Sequence, residues 1–201
     1  MPSIYQLKPR FQALLRPLVG ALARAGVTAN QVTVFAALLS IAAGLAIGLA
    51  QPSTAVLGLL PLVLLLRMAL NAVDGMLARE HRQQSRLGAI LNELGDVIAD
   101  AALYLPLCAV AGFDPRLVVC IVLAGTFAEM TGVIGVQVGA SRRYDGPMGK
   151  SDRAFVFGAL GLALALGAPS GRWIDIVLAI VLLLSIATIV NRARGALREH
   201  A

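Results

Sequence analysis

The chain has 201 residues, of which 58% are apolar and 14% charged, and its mean hydropathy is +0.81. Globular domains average about 45–50% apolar and about 25% charged residues, so this composition excludes an ordinary soluble enzyme. A net charge of +6 would suggest nucleic acid in a soluble protein, but these basic residues lie between apolar blocks, and we expect no nucleic-acid partner. Cys108 and Cys120 lie inside apolar blocks, which excludes a disulfide framework.

Residues 1–26 predict a helix that lies in the membrane interface. Apolar residues recur there at helical spacing, with basic residues between them: Ile4, Leu7, Phe11, Leu14, Leu15, Leu18 and Leu22. Such a face lies among lipid chains while Lys and Arg reach anionic headgroups. An ordinary packed helix is the alternative. The first long apolar run begins only near Gln31, after this basic segment, so we expect no cleaved signal peptide.

Six apolar blocks follow, each close to the roughly 20 residues that a helix needs to cross the hydrocarbon core. We predict spans at residues 31–50, 54–74, 88–111, 117–139, 154–170 and 173–191. Turn-forming sequences lie at residues 51–53, 113–115 and 167–171. The predicted fold class is an all-α membrane protein, with residues 1–201 forming a single domain and residues 31–191 its six-helix bundle.

Lys and Arg are distributed unequally between the two ends of these spans. Only Arg116 and Arg172 lie at one end. Fourteen lie at the other: Lys8, Arg10, Arg16, Arg24, Arg79, Arg82, Arg86, Arg142, Arg143, Lys150, Arg153, Arg192, Arg194 and Arg198. Because cytoplasmic loops carry an excess of Lys and Arg, we expect both termini in the cytoplasm.

Most acidic residues lie inside the predicted spans rather than in the loops. Asp74 ends the second span, and Glu129 lies in the middle of the fourth. The third span contains Glu93, Asp96 and Asp100. An ionisable group near the centre of a membrane helix costs about 2.5–3.5 kcal/mol, so such residues normally mark a functional site.

Two polar sets on consecutive spans predict a metal site. Each set shares one helix face, because its members are three or four residues apart: Asn71 and Asp74, and Asn92, Asp96 and Asp100. A short basic loop joins the two spans, so we expect them to be adjacent, antiparallel and opposed through these faces. Oxygen donors without His or Cys favour Mg²⁺ or Mn²⁺ over zinc. The alternative is a structural network in which Arg67 or Arg79 neutralises the carboxylates.

Residues 71–96 resemble the signature of the CDP-alcohol phosphatidyltransferase family, D-x2-D-G-x2-A-R-x8-G-x3-D-x3-D. The positions that match it in place and spacing are Asp74, Gly75, Ala78, Arg79, Gly88 and Asp96. Asn71 and Asn92 stand where the family has its first and third aspartates. Residues 27–33 are similar to the family's sequence at the start of the first span, with Ala29 in place of the usual proline. The six-helix plan also matches, so the resemblance covers the chain.

The resemblance implies transfer of a phosphatidyl or related group from a CDP-linked lipid or alcohol to an acceptor alcohol, releasing CMP, in phospholipid synthesis. It also implies Mg²⁺ or Mn²⁺ as cofactor, a homodimer among membrane lipids, and a location in a bacterial inner membrane. Asp96 takes the place of the general base for the acceptor hydroxyl. The implied metal ligands are Asp74, Asp96, Asn71 and Asn92, to which we add Asp100 as an auxiliary ligand and Glu129 as a further candidate.

The residues expected to bind substrates surround these ligands. Gly75 and Ala78 would let the nucleotide approach the helix, and Gly88 would allow a close helix contact. Arg79 and Ser85 are expected at the diphosphate. Asn30 and Thr33 belong to the motif at the start of the first span. Two basic residues at the start of the fifth span are expected to bind a phosphate on the acceptor, although topology alone also explains their charge: Lys150 and Arg153.

The two Asp-to-Asn departures leave other interpretations open. An amide keeps a carbonyl oxygen but loses the negative charge, so a relative that binds nucleotide or lipid without turnover is one alternative. A second alignment makes Asp96 and Asp100 the closing aspartate pair after a one-turn insertion. A small ion-coupled transporter is the third alternative, but it predicts inverted repeats, and we find none in the sequence.

Overall fold

The computed structural model describes residues 7–50 and 54–199, and within these ranges the protein is all-helical, with no β-strand. Its α-helices are α1 (Leu7–Arg24), α2 (Ala29–Leu49), α3 (Leu59–Glu80), α4 (Arg86–Tyr104), α5 (Pro115–Gln137), α6 (Lys150–Ala165) and α7 (Arg172–Arg198). Short 3-10 helices precede α3 at Thr54–Gly58 and follow α4 at Leu105–Ala109. The predicted turn at residues 51–53 and Ile4 lie outside the described residues.

Four segments are long and apolar enough to cross a membrane: Ala29–Leu49, Thr54–Glu80, Pro115–Gln137 and Arg172–Arg198. They correspond to the predicted first, second, fourth and sixth spans. The predicted third and fifth spans correspond to α4, which carries three acidic residues, and α6, which has 16 residues. The all-helical membrane fold is confirmed in this coarser form, and six spans stay a prediction.

Several helix bounds differ from the predicted spans because polar contacts extend the helices beyond their apolar blocks. α3 continues to Glu80 rather than residue 74, and α7 continues to Arg198 rather than residue 191. α6 begins at Lys150 rather than residue 154, since the carboxylate of Asp152 accepts a 2.9 Å hydrogen bond from the Gly149 N–H. Such a cap satisfies an N–H that the first helical turn leaves unpaired.

Helix α2 packs against both α3 and α4. Gly44 permits the approach to α4, because a Cβ at this position would lie 1.9 Å from the carbonyl oxygen of Ala102. Over the described residues, the backbones of α3 and α4 barely approach each other, and the two helices meet mainly through polar side chains. The two helices are therefore neighbours, as their short loop predicted, and their polar faces are opposed.

Capping bonds fix the starts of α2 and α4. Thr28 accepts a 3.2 Å hydrogen bond from the Gln31 N–H, and the Gln31 side chain accepts one of 2.9 Å from the Thr28 N–H. Ser85 begins α4 in the same way, accepting a 2.9 Å bond from the Gly88 N–H. These caps set where each helix starts relative to the polar positions that follow it.

The loop between α3 and α4 is held against the start of α2. The side chain of Gln83 accepts a 2.7 Å hydrogen bond from the Ala29 N–H and donates one of 3.4 Å to the Val27 carbonyl. Arg82 in this loop has a φ of 56°, the left-handed region that non-glycine residues rarely adopt. The loop therefore fixes one end of α3 and of α4 relative to α2.

Helix α1 packs on the end of α3. Val19 is fully buried against this end, and Arg16 forms a 3.0 Å salt bridge with Glu80. Leu14 and Leu18 are 76% and 50% exposed on the other side of α1. The helix therefore has a packed face and an open apolar face, while its position in the membrane interface stays a prediction.

Candidate active site

Asp74 is buried in the last two turns of α3. The distribution of basic residues predicts that this end of the helix faces the cytoplasm. The hydroxyl of Thr33 on α2 lies 2.8 Å from Oδ2 of Asp74 and donates a hydrogen bond to it. No salt bridge reaches Asp74 from any residue that the structure describes. Its carboxylate is therefore oriented by a neutral partner, the Thr33 hydroxyl.

Asp96 on α4 faces α3 and joins three helices. The Asn71 amide donates a 3.0 Å hydrogen bond to Oδ1, and Nη2 of Arg67 lies 3.3 Å from the same oxygen. The ammonium of Lys150, the first residue of α6, contacts Oδ2. Of these partners, the Lys150 side chain is 36% exposed, whereas that of Arg67 is 6% exposed. Lys150 is thus the partner that can move away.

The donor set is compatible with a divalent cation. No three His, Cys, Asp or Glu side chains form a metal-binding group within residues 7–50 and 54–199. The predicted donors are two carboxylates and two amides: Asp74, Asp96, Asn71 and Asn92. Mg²⁺ is commonly bound through one or two protein carboxylates, with water and substrate phosphates as further ligands. The chemistry of these donors therefore suits a cation shared with a phosphorylated substrate, and their role as metal ligands stays a prediction.

Asp100 lies one turn beyond Asp96 on α4 and is 9% exposed. Nη1 of Arg67 lies 2.5 Å from its Oδ1, and Nη2 of Arg153 lies 2.9 Å from its Oδ2. Both oxygens therefore face guanidinium groups. This is the arginine network that the sequence left as an alternative, formed by Arg67 and Arg153 rather than by Arg79. The role of Asp100 as an auxiliary metal ligand stays a prediction.

Three further signature residues, Gly75, Ala78 and Arg79, lie near the end of α3. Arg79 is exposed, and its guanidinium folds back over Gly75, where a Cβ would lie 3.2 Å from both Nη atoms. Ala78 is half-buried beside them. Gly75 and Arg79 thus lie in contact, whereas Ala78 packs against the apolar cluster between α1, α2 and α3, and binding of a diphosphate by these residues stays a prediction.

Gly88 lies where the first turn of α4 meets α2. A Cβ there would lie 2.7 Å from Oδ1 of Asn30 and 3.0 Å from Oγ of Ser85. Glycine therefore lets Asn30 reach the start of α4. The hydroxyl of Ser85 accepts the helix-capping bond, and its predicted contact with a diphosphate is not tested by these contacts.

A second charged group lies between α4, α5, α6 and α7. Glu129 in α5 is 7% exposed, and its Oε2 lies 3.3 Å from Nη2 of Arg142 and 3.2 Å from Nη1 of Arg192. Its Oε1 lies 3.7 Å from Nη2 of Arg153. We refer to Glu129 and these three arginines as the Glu129 cluster. Burial of Arg153, which is 2% exposed, leaves its predicted contact with an acceptor phosphate without support from the geometry.

Arg142, in the loop between α5 and α6, connects this cluster to α4. Its Nε and Nη2 donate hydrogen bonds of 2.7 and 2.6 Å to the two oxygens of Glu93. Burial alone would lower the pKa of Arg142, but the bonds and charge of Glu93 hold it above its usual value. The guanidinium also lies 4.3 Å from the ring centre of Tyr144. Arg142 therefore stays charged and links the cluster to Glu93 on α4.

Sequence reasoning assigned Arg192 to membrane topology alone, yet it is 2% exposed and donates a 2.6 Å hydrogen bond to the Ala128 carbonyl. A usable signal was present in the glycines of α5. A Cβ at Gly125 would lie 3.1 Å from the Arg153 guanidinium, and one at Gly132 would lie 3.3 Å from Arg192. Glycines seven residues apart share a helix face, and here that face receives two arginines.

Comparison with known proteins identifies the family. Residues 26–190 match the sequence profile of the CDP-alcohol phosphatidyltransferases. The chain belongs to the CDP-alcohol phosphatidyltransferase family. The chain is 46% identical over 199 residues to the inner membrane protein YnbA of Escherichia coli (strain K12). The match covers 99% of this chain and 98% of that protein. The family that the sequence resembles is thereby confirmed.

Solved structures share the fold of this family member. Phosphatidylinositol phosphate synthase (PgsA1) of Mycobacterium tuberculosis with CDP-DAG bound superimposes with a TM-score of 0.75 and 20% identity, over 90% of this chain and 92% of that chain. The same synthase in complex with manganese and citrate gives a TM-score of 0.74 and 22% identity, over 90% and 88%. At this level of identity, the likeness establishes the helical fold.

Proposed function

We propose that this protein is a metal-dependent CDP-alcohol phosphotransferase of phospholipid synthesis, which transfers a phosphatidyl group from a donor such as CDP-diacylglycerol to an acceptor alcohol and releases CMP. The observation that carries the proposal is the meeting of the α3 and α4 polar faces, through Asn71 and Asp96, within the family signature. The CDP-DAG complex of PgsA1 supports the choice of donor. The name of the E. coli relative and the apolar helices support an inner-membrane location.

In the proposed reaction, the acceptor hydroxyl oxygen attacks the β-phosphorus of the donor. The new P–O bond forms as the bond between the β-phosphorus and the bridging oxygen breaks, and CMP leaves with that electron pair. Asp96 accepts the hydroxyl proton. The acceptor hydroxyl would replace the Lys150 ammonium at Oδ2, while Asn71 and Arg67 continue to hold Oδ1.

Asp74, Asp96, Asn71 and Asn92 are proposed to hold Mg²⁺ or Mn²⁺, with Asp100 as an auxiliary ligand. The bound cation would neutralise the diphosphate and stabilise the departing CMP. Thr33 orients Asp74 for this role through its 2.8 Å hydrogen bond. We propose that substrate is bound by Asn30, Gly75, Ala78, Arg79, Ser85 and Gly88, with Lys150 and Arg153 on the acceptor side. The manganese complex of PgsA1 supports a divalent cofactor.

A second candidate function is binding of CDP-lipid without turnover. It is favoured by Asn71 and Asn92, which remove two negative charges from the metal site. It is also favoured by Asp96, whose carboxylate is already compensated by Lys150 and Arg67. Such a protein would bind the nucleotide and release no CMP.

CMP release by the purified protein in lipid vesicles tests the proposal. CDP-diacylglycerol is supplied with a panel of acceptor alcohols and with Mg²⁺, Mn²⁺ or chelator. We expect metal-dependent CMP release by the wild type and no release by Asp96→Asn. Asp145→Asn is the control, because it makes the same side-chain change in an exposed loop, and we expect it to release CMP as the wild type does. Saturable binding of CDP-diacylglycerol without CMP release from any acceptor would instead support the second candidate.

We also propose the homodimer that the family resemblance implies. Exposed apolar side chains on the bundle surface, such as Leu45, Leu62 and Phe155, are available to lipid or to a second copy. Crosslinking in native membranes tests this, and a monomer across the concentration range of the assay would contradict it.

A further inference from the structure

The Lys150 ammonium lies at a carboxylate that the proposed cation would use. We infer that Lys150 and the divalent cation compete for Asp96, so that binding of the cation displaces the Lys150 side chain. The inference rests on the metal site of the proposed function and goes beyond it, because it gives Lys150 a role in metal binding.

Both oxygens of the Asp96 carboxylate have partners. Oδ1 accepts a 3.0 Å hydrogen bond from the Asn71 amide and lies 3.3 Å from Nη2 of Arg67. Oδ2 contacts the Lys150 ammonium, and the Asp96 side chain is 12% exposed. A divalent cation at this carboxylate would lie beside the ammonium, where like charges repel strongly because little water screens them. The two cations are therefore alternatives at Asp96.

The charge of Lys150 acts on the second carboxylate of the proposed site as well. Asp74 has no salt-bridge partner among the described residues, and its side-chain hydrogen-bond partner is the neutral Thr33 hydroxyl. The positive charge of Lys150 attracts the Asp74 carboxylate. One ammonium thus offsets negative charge on Asp74 and Asp96 together, which is the electrostatic role proposed for the divalent cation.

Lys150 can leave Asp96, whereas Arg67 is held in place. The Arg67 side chain is 6% exposed and also bonds Asp100 and the Asp96 carbonyl, at 2.5 and 3.0 Å. The Lys150 side chain is 36% exposed, and Asp96 is its one salt-bridge partner within residues 7–50 and 54–199. An ammonium on a flexible four-carbon stem reaches water from there by rotation about side-chain bonds. Displacement of Lys150 therefore costs one ion pair, whereas displacement of Arg67 would also remove a partner of Asp100.

The backbone that carries Lys150 is fixed, so the change is confined to the side chain. The Met148 N–H donates a 2.9 Å hydrogen bond to the Thr188 hydroxyl on α7, and the Gly149 N–H donates one of 2.9 Å to the Asp152 carboxylate. These bonds hold the start of α6 while the ammonium leaves. Its departure also frees the carboxylate oxygen that is proposed to accept the hydroxyl proton.

Mn²⁺ binding to the purified protein in detergent tests the competition, with free Mn²⁺ followed by electron paramagnetic resonance. We expect Lys150→Gln to lower the half-saturating Mn²⁺ concentration by at least about tenfold, because an ion pair formed in roughly 90% of molecules weakens apparent binding to that extent. Lys150→Arg keeps a cation that can reach Asp96 and should stay near the wild-type value. Unchanged or weaker binding by Lys150→Gln would overturn the inference.

Arg86→Gln is the matched control, because it also replaces a cation by glutamine at the first residue of a helix. Arg86 is exposed and begins α4, the helix that carries Asp96. The rise of the helix separates the two residues by about 15 Å, which is beyond the roughly 8–10 Å over which surface charges act in physiological salt. We therefore expect the Mn²⁺ affinity of Arg86→Gln to stay near that of the wild type. An equal gain in Arg86→Gln and Lys150→Gln would overturn the inference, since net charge would then explain both.

A second measurement leaves the chain unmutated. Lys8 and Lys150 are the only lysines of the sequence, so labelling with an amine-reactive reagent, read by mass spectrometry, reports on Lys150 with Lys8 as the internal reference. We expect labelling of Lys150 relative to Lys8 to rise several-fold when Mg²⁺ replaces chelator, because displacement from Asp96 frees the amine. A labelling rate that does not respond to Mg²⁺ would overturn the inference.

Failure of the proposed function is recognised separately. Neither measurement depends on CMP release, so a protein without turnover still gives both results. Equal Mn²⁺ binding by the wild type and Lys150→Gln would overturn the inference and leave the proposed metal site intact. Absence of Mn²⁺ binding in every variant, Lys150→Gln included, would refute that metal site and the inference together. Binding by Lys150→Gln alone would support the inference.

Discussion

The polar face shared by α3 and α4 and the Glu129 cluster both place acidic side chains in an apolar bundle, but their partners differ. Asp74 is bonded by a threonine hydroxyl, and Asp96 is bonded by an amide and two cations, of which Lys150 is partly exposed. Glu129 instead lies among three arginines. A buried acid therefore indicates a ligand site only when its protein partners leave the carboxylate available to a ligand.

The energetics of the two regions differ for the same reason. A buried ion pair is sensitive to loss of one partner, because the remaining charge is then uncompensated, so the Glu129 cluster is expected to support the structure. In the α3–α4 face, Asp74 has no salt-bridge partner among the described residues, as expected if it is to bind the proposed cation. Variants that separate activity from stability therefore test this comparison.

The largest effect is expected from Asp74→Asn. It keeps an oxygen that accepts the Thr33 hydrogen bond but removes the carboxylate charge from the proposed metal site. CMP release should fall by about 10³, since a bound cation contributes several kcal/mol to transition-state stabilisation. Thermal unfolding in detergent should change little. Wild-type turnover in this variant would remove Asp74 from the site.

Arg153→Met tests the structural part of the comparison through stability. Removing this guanidinium leaves Asp100 without one of its two partners, and we expect a loss of about 3–5 kcal/mol of unfolding free energy. Arg79→Met is the matched comparison, because Arg79 is exposed. Its stability should change by less than about 0.5 kcal/mol. Unfolding of both variants is measured in the same detergent. Equal destabilisation would contradict the proposal that the buried Arg153 supports the fold and the exposed Arg79 does not.

The double variant Asn71→Asp with Asn92→Asp sharpens the comparison by restoring two charges to the metal site. We expect the Mn²⁺ concentration for half-maximal binding to fall by about tenfold, because affinity follows the number of charged ligands. If binding is unchanged or weaker, the two amides do not contribute to the site.

The smallest effect concerns the link between the α5–α6 loop and the end of α7. Hydrogen bonds from Arg143 hold the pKa of Asp145 below its ordinary 3.8, and bonds from Ser141 hold that of Glu199 below 4.5. Both pKa values are lower in the folded state than in the unfolded chain. The link therefore stabilises the fold at pH values above the ordinary pKa values, and this stabilisation is lost as the pH falls through the folded-state pKa values. Thermal midpoints should show a small acid loss that Arg143→Met reduces, and an identical acid profile in that variant would contradict the link.

Much of the fold and of the site plan could be predicted from sequence. Apolar block length identified the helical membrane class, and the spacing of Asp74, Gly75, Ala78, Arg79 and Asp96 identified the family. Spacing within each helix predicted which polar residues share a face, and the short loop predicted that the faces with Asn71 and Asp96 oppose each other.

What sequence could not supply depends on tertiary placement. Helix α2 packs against both α3 and α4, and its approach to α4 depends on close packing at Gly44, which no local pattern reveals. The pairing of Arg192 with Glu129 joins residues 63 positions apart, and topology gave Arg192 a sufficient explanation. Charge counting therefore found the basic residues but could not say which were bound inside the bundle.

Mn²⁺ binding by the purified protein tests the central claim most directly, with free Mn²⁺ followed by electron paramagnetic resonance. We predict that Asp96→Asn loses binding and that Glu129→Gln retains it, because the α3–α4 face holds the cation and the Glu129 cluster does not. Loss of binding in Glu129→Gln with full binding in Asp96→Asn would contradict the account.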